Sequence, residues 1–403
     1  MIEDSSKRIV TPIEGVRLLC PTDGERNRFP GIVSVRSLPY LKGGAEDFSR
    51  ISNQRGKEHI MKGAIYHGEY DITIEELDYP ECGPKDVILQ VKRAGICGSD
   101  LSAWRSTEGG NMAGIYEDFQ MGHEMVGLIH EVGSDVTDIQ VGDRVWVNPT
   151  RCKREGKIYC DVAGAFSEYV GVEDAAWGWN LHRLPDDVSW DEGVIIEPFA
   201  VGTHGKNRVC TKPDENVVIF GAGTIGLSAL CAAVAQGNKN VVVSDVRDDR
   251  LEIVNKLGGV GFNSATDSLF KFLKSHFGEV ENPYGFGTVP NVDVFIDAAG
   301  APPILETFAQ CAKWQSRLSV LAVYKKNIPL DLSVLVGKQT EIYGACMYTD
   351  TDIAEVFDNI TNHRTGIPSI VTHRFKHEDI VEAFKTADDI DTGAIKVIID
   401  YDL

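Results

Sequence analysis

The sequence predicts an α/β protein built in two styles, a β-barrel-like region followed by a doubly wound parallel sheet. Three observations carry this. From residue 61 to about 200, short β-rich runs alternate with Gly and Asp turns; from about 211, buried strands alternate with helices. Where the first of those later strands gives way to a helix stands the run Gly221-Ala222-Gly223-Thr224-Ile225-Gly226. A chain of 403 residues with 43% hydrophobic side chains is long enough for two such cores.

The elements follow in order. Residues 1–60 carry 10 Lys/Arg against 8 Asp/Glu, leaving 30 against 52 for the remainder, so the composition changes at this boundary. This segment lacks a sustained period and is broken by Pro21, Gly24, Pro30, Gly31, Pro39, Gly43 and Gly44, which predicts a poorly ordered extension. A functional start at Met61 is equally compatible with the residues. The first strand is expected at Met61 to Tyr66. Further strands are expected at Val87 to Val91, Met125 to Val132 and Asp143 to Val147. In the second region, strands are expected at Val217 to Phe220, Val241 to Asp245, Val292 to Asp297, Leu318 to Val323 and Thr340 to Gly344. Helices should start near Thr224 and Asp248. A strand at Ala394 to Ile399 is expected to return to the first region. The domains expected are therefore 61–205 with 346–403, and 206–345.

Charge and composition exclude several functions. A net charge of −20 repels nucleic-acid phosphates, and no basic, aromatic-laced patch opposes it. No run approaches the roughly 20 apolar residues of a membrane helix, and MIEDSSKRIV has no signal-peptide core. Nine cysteines in a chain of this length do not form a secreted disulfide framework. The expectation is a soluble cytoplasmic protein with neither nucleic-acid nor membrane partners.

The glycine run satisfies Gly-x-Gly-x-x-Gly in the context that gives it meaning, a buried strand before it and a helix after it, as in a Rossmann unit. Gly221 permits the tight turn, Gly223 lets backbone approach a pyrophosphate, and Gly226 lets the helix pack close to the sheet. Thr224 and Ile225 open that helix, whose free N–H groups face the phosphates. Asp245, about 20 residues on at the end of the next strand, is placed for the ribose 2′-hydroxyl; its charge would repel a 2′-phosphate, favouring NAD over NADP. Arg250 is a further candidate at the adenosine end, with Arg247 close by. The structural alternative is a glycine turn followed by a surface aspartate.

Three separated segments supply metal donors: Cys97 in Gly95-Ile96-Cys97-Gly98-Ser99-Asp100, His123 and Glu124 after Gly122, and Glu197 before Pro198. Singly, each has a structural alternative as a core thiol, a hydrogen-bonded imidazole or a helix-start carboxylate. Together they offer the three ligands of a catalytic zinc, which leaves one position for a substrate oxygen to be polarised. In combination these segments resemble the zinc-containing medium-chain alcohol dehydrogenase family. Gly122-His123-Glu124-x-x-Gly127, with Gly133 and Val136 after it, looks like the zinc signature. Cys97-Gly98-Ser99-Asp100 resembles the first-ligand motif, Val141-Gly142-Asp143-Arg144-Val145 the strand that follows, and Glu197-Pro198-Phe199-Ala200-Val201 the third-ligand segment. The resemblance runs from about Met61 to Leu403. Glu197, where many simple alcohol dehydrogenases have Cys, points to the polyol (sorbitol) and butanediol branch, as does Gly344-Ala345-Cys346-Met347-Tyr348-Thr349.

The resemblance implies a GroES-like β-barrel catalytic domain, a Rossmann NAD-binding domain, and a cleft between them holding zinc and nicotinamide. The cofactors implied are NAD and one catalytic zinc per subunit, held by Cys97, His123 and either Glu124 or Glu197, which exchange roles in relatives. Ser99 matches a hydroxyl that in relatives contacts the reacting alcohol oxygen. Ser99 and Glu124 are thus the catalytic candidates. Two departures stand out. Relatives often bind a second zinc through four cysteines, whereas here Cys152 and Cys160 remain and Trp146 and Pro149 occupy the other two places, so no structural zinc is expected. Butanediol-type relatives often have His three positions after the Ser99 equivalent. This chain has Ser102, leaving His130 or His182 as proton-path candidates.

The expected reaction moves a hydride between a secondary alcohol or polyol and NAD, giving a ketone, in a homodimer or homotetramer. The competing readings are a zinc-independent quinone or enoyl reductase of the same fold and a catalytically silent nucleotide-binding protein. Trp104, Phe119, Trp177 and Tyr348 are the candidates for lining a substrate pocket.

Overall fold

Val87, Ile88, Leu89 and Val91 are buried in a strand, Val87–Gly95, from which the first half of the fold is built. In the computed structural model the described residues are 60–106, 118–154, 157–158, 164–324 and 326–403. All lie within the unit 55–403, one of two into which the chain divides, the other being 1–54. The extension expected at 1–60 lies outside the described residues except for Ile60.

Along one edge of Val87–Gly95 runs Glu124–Val132, antiparallel, with Leu89 opposite Ile129 and Gly95 opposite Glu124. The other edge is shared: Tyr169–Val172 pairs with its first half and Lys396–Asp400 with its last residues, Ile398 facing Gly95. Arg144–Val147 and Leu181–Arg183 extend the sheet on one side and Val371–Phe375 on the other, giving seven strands. Alternate side chains of these strands meet in one apolar cluster that includes Val87, Leu89, Met125, Ile129, Phe166, Val397 and Ile399. A smaller sheet joins Ile60–Gly68 to Asp71–Asp78 and to Phe119–Gln120.

The second half is a six-stranded sheet, parallel throughout, in the order Val260–Asn263, Val241–Asp245, Val217–Phe220, Val294–Asp297, Arg317–Val320, Glu341–Gly344. Val217, Val218, Ile219 and Phe220 are all buried, as a central strand covered on both faces requires. The helix Thr224–Gln236 follows it and stops at Gly237, whose φ of 107° suits glycine. Helix Asp248–Lys256 has acids in its first turn and Lys256 in its last, matching the helix dipole.

Several elements differ from the sequence expectation, among them the parallel edge strand Val260–Asn263, which was not foreseen. The strand expected to reach Val323 ends at Val320: Leu321 N–H makes the last ladder bond, to the Asp297 carbonyl, and Ala322 N–H turns back to that same carbonyl instead of extending the pairing. An unforeseen hairpin, Glu279–Glu281 with Thr288–Pro290, closes through Gly285 and Gly287 at positive φ. Among the described residues no helix is long and apolar enough to cross a membrane.

Candidate functional site

The ends of two neighbouring interior strands of the seven-stranded sheet deliver the metal donors. Cys97 follows the strand Val87–Gly95 and opens the helix Gly98–Trp104, where its backbone N–H donates to Asp100 Oδ2 at 2.8 Å. His123 immediately precedes the neighbouring strand and Glu124 starts it. Gly122 before them adopts φ 91°, and a Cβ there would lie 2.8 Å from the Phe166 ring, so only glycine turns the chain at this point. Ligand atoms of Cys97, His123 and Glu124 all lie within 4.8 Å of one another. Asp100, fully buried, places Oδ1 3.9 Å from His123 Nδ1.

Glu124 is fully buried, and Gly95 opposite it makes the room: a Cβ at Gly95 would lie 2.0 Å from Glu124 Oε2. Its charge is met by Lys396, whose Nζ donates to Oε1 at 2.8 Å, to Oε2 at 2.6 Å and to the Ile96 carbonyl at 3.0 Å. Burial disfavours the Lys396 charge, but Glu124 and Cys97 more than offset this, so the ammonium is held above its usual range. Glu197, buried in the first turn of helix Ile196–Arg208, is not in the three-donor group; it acts on Lys396 through its charge. Ser99 stands on the first turn of the helix that Cys97 opens. Asp100 and Lys396 were not singled out from the sequence, although Asp100 sits within the Cys97 motif and Lys396 opens an otherwise mostly apolar strand.

At the second sheet, Gly221 adopts φ 96°, and a Cβ on Gly226 would lie 1.8 Å from the Gly221 carbonyl oxygen, so this position admits only glycine. At Gly223 a Cβ would meet nothing within 4 Å, which leaves open space at the helix N-terminus. Asp245 accepts from Ala222 N–H at 2.6 Å, Val246 N–H at 2.8 Å and Arg247 N–H at 3.0 Å. Three of its roughly four acceptor sites are used, and the carboxylate is locked beside the glycine turn. The Thr224 hydroxyl donates to the Ile395 carbonyl at 2.9 Å, Ile225 is half-buried, and Arg250 reaches the Ala394 carbonyl at 3.3 Å.

The remaining candidates are scattered. Trp104 is a core residue between Tyr70 and Phe384, Phe119 lies in the small sheet, and Trp177 donates to the Asp138 carbonyl under the Arg183 guanidinium. Tyr348 reaches Asn148 Oδ1 at 3.4 Å. His182 stacks on Phe357, and burial pushes its pKa down; His130 is exposed beside Tyr169. Cys152 is buried, which pushes its thiol up to about 12, and Trp146 lies in the core. Cys160 lies outside the described residues.

The chain matches two family models, Alcohol dehydrogenase GroES-like domain over residues 83–186 and Zinc-binding dehydrogenase over 224–362. It is 30% identical to sorbitol dehydrogenase of Rattus norvegicus over 338 residues, covering 80% of this chain and 91% of the relative. The chain belongs to the zinc-binding alcohol dehydrogenases. Sorbitol dehydrogenase of Bacillus subtilis is 29% identical over 357 residues, covering 84% of this chain and 97% of that protein. The crystal structure of 2R,3R-butanediol dehydrogenase from Bacillus subtilis superposes with a TM-score of 0.73 at 26% identity, covering 84% of this chain and 99% of that one. This zinc-binding alcohol dehydrogenase is therefore an alcohol oxidoreductase of the polyol dehydrogenase branch, with GroES-like and Rossmann-like parts. Membership implies zinc and NAD as cofactors and a small-molecule alcohol as substrate.

Proposed function

We propose that the chain oxidises a secondary alcohol or polyol to the ketone with NAD, using one zinc ion per subunit. The observation that carries this is the convergence of Cys97, His123 and Glu124 within 4.8 Å. A thiolate, an imidazole and a carboxylate form a donor set that zinc accepts, with one position left for substrate. The open space at Gly223 and the locked Asp245 fit a dinucleotide in the same way. A reductase working without zinc would not need the three donors together.

When bound, the cation polarises the alcohol oxygen and the dinucleotide takes up the hydride. The protein's own groups do the rest. The Ser99 hydroxyl receives the alcohol proton and passes it on. Cys97, His123 and Glu124 are the metal ligands in this reading, and Lys396 balances the carboxylate while Asp100 orients the imidazole. Glu197, buried beside Lys396, would serve as the alternative carboxylate to Glu124 for holding the cation. Gly221, Gly223 and Gly226 admit the pyrophosphate at the N-terminus opened by Thr224 and Ile225. Asp245 accepts the adenosine ribose hydroxyl, with Arg250 at the same end. Residues 61–205 with 346–403 form the catalytic domain and 206–345 the NAD domain, assembled as a homodimer or homotetramer.

The test combines elemental analysis with initial rates on a panel of polyols, diols and simple alcohols, with NAD or NADP. One zinc per chain and NAD-linked oxidation of at least one secondary alcohol are expected, with Asp245→Ser narrowing the preference for NAD. A wild-type protein that prefers NADP removes the Asp245 assignment, and full turnover in a zinc-free Cys97→Ala protein removes the metal mechanism.

A further inference from the structure

The carboxyl edge of the parallel sheet holds a buried carboxylate that the metal centre does not use. Asp297, the last residue of Val294–Asp297, is fully buried and lies in register between Phe220, which precedes the glycine turn, and Val320. Its Oδ1 accepts from Ala299 N–H at 3.0 Å and Gly300 N–H at 2.9 Å, and its Oδ2 accepts from the Tyr324 hydroxyl at 2.7 Å. Its backbone carbonyl accepts from Leu321 and Ala322 at 2.9 and 3.1 Å. One residue thus ties together the two segments that leave the sheet side by side, 298–300 and 321–324.

Those segments wall the glycine turn. Ala298 N–H donates to the Phe220 carbonyl at 3.0 Å, a Cβ on Gly221 would lie 2.9 Å from Ala299 Cβ, and one on Gly300 would lie 3.0 Å from Ala322 Cβ. Burial and the bond to Asp297 push the Tyr324 phenol far above its usual range, so its hydroxyl stays a donor at neutral pH. A phenol held on a buried carboxylate is a short, strong hydrogen bond that fixes the ring.

Strand order tells which part of a dinucleotide this wall would meet. The chain moves outward from Val217–Phe220 to Val241–Asp245 in one direction and from Val294–Asp297 to Arg317–Val320 in the other, so the switch point lies between the two central strands. Each half of such a sheet receives one mononucleotide. Asp245 marks the adenosine half; Asp297 and Tyr324 stand at the ends of the other.

We propose that Asp297 and Tyr324 are positioning residues for the nicotinamide half of the cofactor, with the Tyr324 ring, tethered through its hydroxyl, setting where the nicotinamide seats. This rests on the NAD-linked reading above. The test uses the full-length, zinc-loaded protein and its Tyr324→Phe variant, titrated with NADH and with ADP-ribose, which lacks the nicotinamide. Tyr324→Phe should weaken NADH by about tenfold, the effect of losing one hydrogen bond to a charged group, while leaving ADP-ribose within about twofold. It should also raise the primary deuterium isotope effect on alcohol oxidation, because a misplaced ring slows the hydride step. Equal weakening of both ligands would make the pair a plain loop staple and overturn the proposal, as would no change in either. If the wild-type protein binds neither NADH nor ADP-ribose, the cofactor reading fails and this proposal falls with it; binding of both by wild type with an unaltered variant overturns this proposal alone.

Discussion

Lys396 stands in the strand Lys-Val-Ile-Ile-Asp, all five residues buried, and its ammonium meets the equally buried Glu124. A buried lysine is retained only when its charge is answered, so a lysine leading into an apolar run is a sequence signal for a polar site. That signal names no partner, since Glu124 is 272 residues away in the chain. Cys97, His123 and Glu124 were readable because their flanking glycines and spacing form a recognisable motif; the separate position of Glu197 was not, because only coordinates rank two carboxylates against one metal. At this scale the proposed ligands and the proposed proton carrier are separable by experiment. Cys97→Ala and His123→Ala should lose zinc and turnover together. Ser99→Ala should keep zinc and NAD binding while kcat falls by about 10²–10⁴-fold. Parallel metal analysis and steady-state rates on the three variants check this, and loss of zinc from Ser99→Ala would show that the serine supports the metal centre instead.

The glycine turn shows two glycines of one motif needed for different reasons. A Cβ at Gly226 collides with backbone, so Gly226→Ala should lower the thermal midpoint as well as cofactor affinity. A Cβ at Gly223 meets nothing, so Gly223→Ala should fold with an unchanged midpoint and lose only affinity for NAD, a contrast that thermal melts and NADH titration expose. The helix Asp350–Thr361 supplies a pH test. Burial raises the Asp352 pKa, but hydrogen bonds from His204, Thr349 and Asn207 outweigh it and bring the carboxyl to about 2. A carboxyl whose pKa is lowered on folding stabilises the protein above its ordinary value near 3.8 and loses that contribution as pH falls towards 2. Asp352→Asn should therefore flatten the acid limb of the stability profile between pH 4 and 2, measured by denaturant unfolding. The central parallel strands Val217–Phe220, Val241–Asp245 and Val294–Asp297 were readable as apolar runs, whereas the edge strand Val260–Asn263 was not, because it is short and only Phe262 in it is buried. The hairpin at 279–290 was not, because its strands are only three residues long and carry mixed polarity.

The two-part architecture was visible as a change of texture near residue 211, where β-rich runs give way to strands alternating with helices. What composition alone withholds is that the site is assembled from distant stretches. Cys97 comes from one short segment and His123 with Glu124 from another, on adjoining strands, so a cation bridging them should stabilise the whole fold. At a hundredfold excess over its Kd a ligand adds about 2.7 kcal/mol, so stripping zinc with a chelator should lower the thermal midpoint by several degrees and readdition should restore it. An unchanged midpoint would mean that the donors are held equally well without metal. The contact between Lys396 and the Ile96 carbonyl spans 300 residues of chain. During synthesis Cys97, His123 and Glu124 leave the ribosome long before their counter-ion does, and the strand edge at Gly95 waits unpaired for Lys396–Asp400. The donors are thus complete in the chain long before their enclosure is: the last strand brings both the pairing partner of Gly95 and the cation for the buried Glu124 carboxylate, so a chain halted before Lys396 would hold all three donors in an unclosed sheet.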